Sequence, residues 1–460
     1  MQRQSRAIPI SIRALRRIAV LLAIFTTSCG SKPEPKVTGP VWAGTTLRVN
    51  CPNGPARTLI DRHAAGWARL QKVTLTVGDF PDADLVVFTP ADLGRLAEGG
   101  IISPLPESVT GSELWAGQLR LYRNKLLLWG ATPYALPLLG DATFVIYRKD
   151  LFEAAKRKAP SSFAEFGLIA KQFSDERKRS VLPALPTDDD GLDRLFHSVA
   201  AAFAVMPVNE NDFRRRSGDT SELFAFHRDV TTGAPRLTDP GFVAALEWLK
   251  NLAPLRAKSG TLAENFGADD AVMAIGSLAD LASLQPAAHP GRYSVAPICT
   301  GPAGERVPYI GPGGAFIGLA KNAKNQSAAL ALALQLSGPT VSFEVVHDPV
   351  FGSAPFRSVH LAEHRDGWFN YGLDAIGTAT LLEALREVSE PRAINAPLRM
   401  RMPDQIEYRK VLLDGVRHCL AKDGESAKAL KDIDARWREM DAAHPMDRKT
   451  MYLKSLTLRP

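Results

Sequence analysis

Between Pro133 and Glu153 (PYALPLLGDATFVIYRKDLFE) two apolar runs of strand length, Tyr134–Leu138 and Ala142–Tyr147, meet at Gly140-Asp141. A Gly-Asp step breaks a strand, and the charged residues after Tyr147 predict a helix starting near Asp150. Further strand signals lie on both sides of this segment. Thr46–Val49, Lys72–Val77 and the nearly continuous apolar Asp84–Phe88 precede it. Arg292–Pro297 and the Gly-rich Val307–Leu319 follow only after a long helical stretch. Two clusters of strands, joined through Gly140-Asp141 and again near Tyr293, predict a chain that crosses between two bodies more than once.

The length agrees. At 460 residues the chain exceeds one compact core and fits two domains of roughly 150–200 residues each. Helices are expected at Ala56–Leu70, Pro90–Glu98, Asp150–Lys156, Ser162–Phe173, Gly191–Val205 and Pro240–Leu252. Later ones are expected at Gln326–Leu336, Pro339–Val346, Thr378–Glu387, Asp404–Ala421 and Ser426–Asp441. Strands alternating with helices predict mostly parallel sheets flanked by helices. The first lobe would hold residues 41–140 and 300–345, and the helix-rich second lobe residues 141–299 and 346–460. Several crossings stiffen a hinge in twist while leaving it free to bend.

The N-terminus is set apart from the fold. Arg3, Arg6, Arg13, Arg16 and Arg17 precede the apolar core Ile18–Phe25, and small residues lead into Cys29-Gly30. The core is too short to span a bilayer, so residues 1–28 read as a signal peptide. The box resembles a lipoprotein signal, which makes Cys29 the lipidated N-terminus, although Thr26 stands where such boxes usually carry Leu. Residues 29–40 would be a flexible tether. Without the five signal arginines, Lys+Arg falls from 56 to 51 against 49 acidic residues, a net charge of about +2. The basic isoelectric point therefore gives no warrant for nucleic-acid binding. No later run is apolar enough for a membrane helix. Cys51, Cys299 and Cys419 lack metal-ligand spacing and read as buried small apolar residues, with one disulfide as the alternative.

Four segments resemble, in order, the bacterial extracellular solute-binding proteins, the capture subunits of ABC importers. They are Asp84–Pro106, Pro133–Glu153, Asp270–Leu284 and Tyr293–Lys321 (YSVAPICTGPAGERVPYIGPGGAFIGLAK). The sugar-binding branch is the nearest in pattern, and the passage between Leu70 and Asp84 is shorter than the family's. The resemblance implies a two-lobed α/β fold, a periplasmic-binding-protein-like architecture with a cleft between the lobes. It also implies an exported, monomeric protein without cofactor that closes over a small solute and passes it to a membrane permease.

In such a fold the ligand is touched by loops at the carboxyl ends of strands. Asn53 and Thr89 follow the first and third strands; Asn53 is equally a turn residue, and Thr89 a helix cap. Asp141 lies at the crossing, where a carboxylate can accept from two vicinal hydroxyls. Ser277 follows Gly276. Tyr309, Gly313 and Gly314 lie on the return crossing, the glycines allowing close backbone approach. Phe356 is a candidate aromatic platform beside Arg357, which would suit an anionic ligand or a surface ion pair. Trp129 and Phe351 are further loop aromatics.

One enzyme motif competes. His360-Leu-Ala-Glu-His364 matches the inverted zinc-peptidase pattern, with Glu363 as base and Glu425 or Glu439 as possible third ligands. Gly311–Gly314 is neither a dinucleotide fingerprint nor a P-loop. The leading expectation is a lipid-anchored carbohydrate-capture protein. The alternatives are an exported zinc hydrolase and an orphan ligand sensor.

Overall fold

The computed structural model describes residues 40–458, apart from 205, 208–223, 285–287, 290, 305, 363–364, 390–397, 423 and 445. The signal, Cys29, the tether to residue 39, Glu363 and His364 lie outside the described residues.

A five-stranded sheet has the order Thr74–Gly78, Thr46–Asn50, Leu85–Phe88, Ala315–Leu319, Ala135–Leu139. The first three strands are mutually parallel, and Ala315–Leu319 runs antiparallel to both its neighbours. A second sheet places Thr143–Arg148 between Met273–Ser277 and Tyr293–Pro297, antiparallel to both. The expectation of a mostly parallel sheet in each lobe is thus corrected for the second. A run such as FVIY signals burial on both faces, and burial alone does not set strand direction. The Gly-rich strand expected over Val307–Leu319 is also shorter, Ala315–Leu319. Pro308 and Pro312 lack the N–H a ladder needs.

Local chemistry accounts for the elements beside the crossing. Helix Pro55–Gln71 starts with Pro55 in its first turn and buries Leu59, Ile60, Ala64 and Ala68 along one stripe. Between it and Leu85 the chain holds only the strand Thr74–Gly78. Buried Asp84 accepts from the backbone N–H groups of Arg48 (3.0 Å), Lys324 (2.9 Å) and Asn325 (3.2 Å). It thereby ties the first strand to the start of helix Gln326–Leu336.

Helix Asp189–Ala204 is buried along nearly its whole length. It packs against helices Pro240–Asn251 and Gln405–Ala421 and strand Met273–Ser277. Cys51, Cys299 and Cys419 are free thiols in buried positions. Among the described residues no single helix is long and apolar enough to cross a membrane.

Candidate ligand-binding site

The chain leaves the five-stranded sheet at Leu139 and enters the three-stranded sheet at Thr143, so Gly140, Asp141 and Ala142 form the link. A third segment runs beside it. The Gly140 carbonyl accepts from the Ala354 N–H (3.1 Å), and the Gly140 N–H donates to the Ser353 hydroxyl (2.9 Å). A Cβ at Gly140 would stand 2.2 Å from the Ala354 carbonyl oxygen and 2.6 Å from the Tyr122 hydroxyl. Only glycine fits there.

Asp141 is clasped rather than open. Arg194, from helix Asp189–Ala204, donates through Nη2 to both carboxylate oxygens (3.0 and 3.1 Å) and through Nη1 to Thr143 Oγ1 (2.9 Å). The Gly313 N–H donates to Asp141 Oδ2 at 3.1 Å, and a Cβ at Gly313 would lie 2.7 Å from Asp141 Cγ. Asp141 is 9% exposed and Arg194 8%. Burial opposes the Arg194 charge, yet Asp141 and Asp280 outweigh it and hold the guanidinium above its ordinary range. Asp280 Oδ2 stands 4.0 Å from Arg194 Nε.

The other expected contacts divide by location. Asn53 and Thr89 are exposed after their strands, and Thr89 Oγ1 donates to Asp92 Oδ2 (2.8 Å). Ser277 caps helix Leu278–Ser283 in a reciprocal box with Asp280, which joins it indirectly to Arg194. Gly314 takes a positive φ of 89° beside the Leu139 carbonyl. Asp141, Gly313 and Gly314 therefore come together at the crossing.

Tyr309, Phe356 and Arg357 do not face open space. The Tyr309 hydroxyl donates to Asp193 (2.9 Å) and its ring stacks on His197, centroids 5.0 Å apart. Phe356 is fully buried against Tyr122 and His360, so the aromatic platform expected there is corrected to a core residue. Arg357 donates to the carbonyls of Leu114 (3.1 Å) and Ser337 (3.4 Å) and is neither a ligand arginine nor a surface ion pair here. A loop-like sequence context does not reveal that the loop is packed under other chain.

Buried Asp193 organises a network beyond the crossing. It holds His197, Tyr309 and Arg409 (Nε at 2.8 Å), with Arg399 Nε at 3.4 Å, and His197 Nε2 meets His227 Nε2 at 3.0 Å. Burial opposes its ionisation, but His197, Arg399 and Arg409 keep its carboxyl well below the usual range.

Next to Arg194 opens a cavity of about 620 Å³. Phe166 and Trp248 line it, with Asp188, Thr187, Thr261, Glu264 and Asp280, and the first three residues of strand Met273–Ser277 contribute to its wall. Its size is that of a small-molecule site. None of these residues was among the expected contacts, although Asp280 is the capping partner of Ser277. The available signal was Asp193-Arg194, adjacent opposite charges inside an apolar helical run.

The profile of the bacterial extracellular solute-binding proteins matches residues 67–359, well over half of the chain. The chain belongs to that family. Its members are substrate-binding proteins of the ABC-importer type rather than enzymes, and the chain is accordingly an exported protein. Solved structures share the two-lobed fold. The maltose-bound MalE3 of T. maritima is 17% identical, with a TM-score of 0.67 over 86% of this chain and 100% of that one. The sugar-binding protein MalE of Xanthomonas citri is 16% identical, with a TM-score of 0.67 over 87% and 98%. A solute-binding protein of Agrobacterium radiobacter K84 in complex with ribitol is 18% identical, with a TM-score of 0.63 over 87% and 99%. No curated protein matches the chain in sequence.

The zinc-hydrolase alternative fails against this family and against His360 itself. His360 Nδ1 accepts from the N–H groups of Phe356 and Arg357 (3.3 Å each), and Nε2 meets Ser342 Oγ at 3.0 Å. Both ring nitrogens are occupied inside the core, where burial pushes its pKa down to about 3. Among the described residues no group of three His, Cys, Asp or Glu side chains could hold a metal ion.

Proposed function

We propose that this protein captures a carbohydrate or related polyol and delivers it to an ABC permease. The observation that carries the reading is the cavity beside the crossing. Aromatic surface from Phe166 and Trp248 faces the same space as the hydroxyls and carboxylates of Thr187, Asp188, Thr261, Glu264 and Asp280. Sugars combine apolar C–H faces with dense hydroxyls, and such a mixed wall matches both. The maltose-bound and ribitol-bound structures on the same fold, and the sugar-binding protein of Xanthomonas citri, support the assignment.

In this reading residues 41–140 and 300–345 form one lobe, and 141–299 with 346–460 the other. Asn53 and Thr89, exposed on the first lobe, meet the ligand when the lobes close, and Asp141, Ser277, Gly313 and Gly314 line the hinge side. Binding and closure then share one conformational equilibrium, which is what a permease would sense. Cys29 carries the lipid that holds the monomer at the membrane, with the segment to residue 40 as tether.

The test is calorimetric titration and thermal shift of the whole protein against sugars, oligosaccharides and polyols. A saturable rise in melting temperature without turnover is expected. A panel in which no member shifts the protein would remove the carbohydrate assignment. Cys29→Ser should release the protein from the membrane fraction, and retention there would refute the anchor.

A further inference from the structure

Arg256 stands out among the charged groups of the cavity. It follows the short helical turn Ala253–Leu255 and lies beside Leu182 in a parallel bridge. Its Nη1 donates to the Pro183 carbonyl at 3.2 Å, while its Nε is buried with no hydrogen-bond partner. Among the described residues no carboxylate pairs with it, and burial alone pushes its pKa down to about 10. A guanidinium carries five donors, so most of this one is unused.

Two buried arginines without acidic partners differ. Arg401 donates to the carbonyls of Lys125, Leu126 and Ser455, and Arg357 to those of Leu114 and Ser337. They fasten chain to chain. Neither lines the cavity, and Arg256 does.

The carboxylates of the cavity accept from backbone N–H groups and none of them pairs with Arg256. Asp188 accepts from the Gly191 N–H (2.7 Å), Glu264 from the Thr261 N–H (2.7 Å), and Asp280 from the Ser277 N–H (2.7 Å). Each holds the first turn of a helix. The indole N–H of Trp248 is taken by the Phe163 carbonyl (3.1 Å). A half-buried cation with free donors at the wall of a ligand cavity is completed by an anion.

We propose that the solute carries an acidic group, a carboxylate or a phosphate, and that Arg256 is the residue that reads it. The inference rests on the cavity being the sugar site and narrows that reading to acidic sugars.

Three ligands with one ring test it: D-galactose, D-galacturonate and D-galactose 6-phosphate, titrated into the whole protein and into Arg256→Gln. At least one acidic member should bind about 10- to 100-fold more tightly than galactose, the range of a charge-assisted hydrogen bond. The tighter of the two identifies the acid. Arg256→Gln should abolish that preference and leave galactose within about threefold. The ligand-free variant should melt no lower than the parent, because it loses a half-buried charge that has no counter-ion.

Equal binding of all three by the parent overturns the proposal and leaves the sugar reading standing. So does binding by a neutral sugar of the wider panel when neither acidic ligand binds. A variant that melts lower and weakens all three alike makes Arg256 structural only. If no sugar of any kind binds, the sugar reading fails and takes this inference with it.

Discussion

Replacing Arg194 by Met tests the clasp at the crossing most directly. The side chain makes three hydrogen bonds there, two to Asp141 and one to Thr143, at 2.9–3.1 Å. Arg194→Met leaves the Asp141 carboxylate buried with the backbone N–H of Gly313 as its remaining donor. Removing one partner of a buried pair costs about 3–5 kcal/mol, because the other charge stays desolvated. Asp141→Asn in the parent background should cost less, about 2 kcal/mol, since the amide oxygen still accepts. The double variant removes both charges and should lose well under the sum, a coupling of about 2 kcal/mol. Urea unfolding at pH 7, followed by circular dichroism, supplies all four corners of the cycle. Additive losses within about 0.5 kcal/mol would mean that the two side chains do not depend on each other. The account of Asp141 as a clasped rather than a free carboxylate would then be wrong.

Glycine geometry gives a second test. Gly313→Ala places a Cβ 2.7 Å from Asp141 Cγ and should destabilise by about 1–3 kcal/mol, whereas Gly66→Ala, with nothing within 4 Å, should be neutral or stabilising in the same urea assay. His360 gives a pH dependence. Its folded pKa lies near 3, against 6.5 ordinarily, first because of burial and then because of His347 and Arg357. The unfolded chain therefore binds the extra proton between these values, and stability falls as pH drops below 6.5. The loss is about 3 kcal/mol by pH 4 from this group, and His360→Gln should flatten the slope; an unchanged slope counts against it. The thiols give a fourth: burial pushes Cys51 up to about 11 and Cys299 up to about 12, so both should resist a thiol reagent until denaturant is added. Labelling of the native protein would contradict the packing.

What the sequence discloses depends on how local the cause is. Helix Gln326–Leu336 can be read to the residue, because an Asn precedes it and Ser-Gly-Pro ends it. The crossing is equally legible, since Gly140-Asp141 interrupts two apolar runs and the two sheets meet within three residues of that break. Strand direction is a different matter. Thr143–Arg148 is buried whether its neighbours run with it or against it, and the partners Met273–Ser277 and Tyr293–Pro297 arrive from more than a hundred residues away. The site follows the same rule. Asp141 is marked by its position, but its ion-pair partner is chosen by packing: Arg194 reaches it because helix Asp189–Ala204 lies against strand Met273–Ser277. Phe356 and Arg357 fail for the reverse reason, since their flanking residues resemble a loop while Tyr122 and the carbonyls of Leu114 and Ser337 enclose them. A charged residue within an apolar helical run is thus the better pointer to a site than an aromatic in a loop. Desolvating a charge demands a partner, and at Arg194 that partner is the crossing itself.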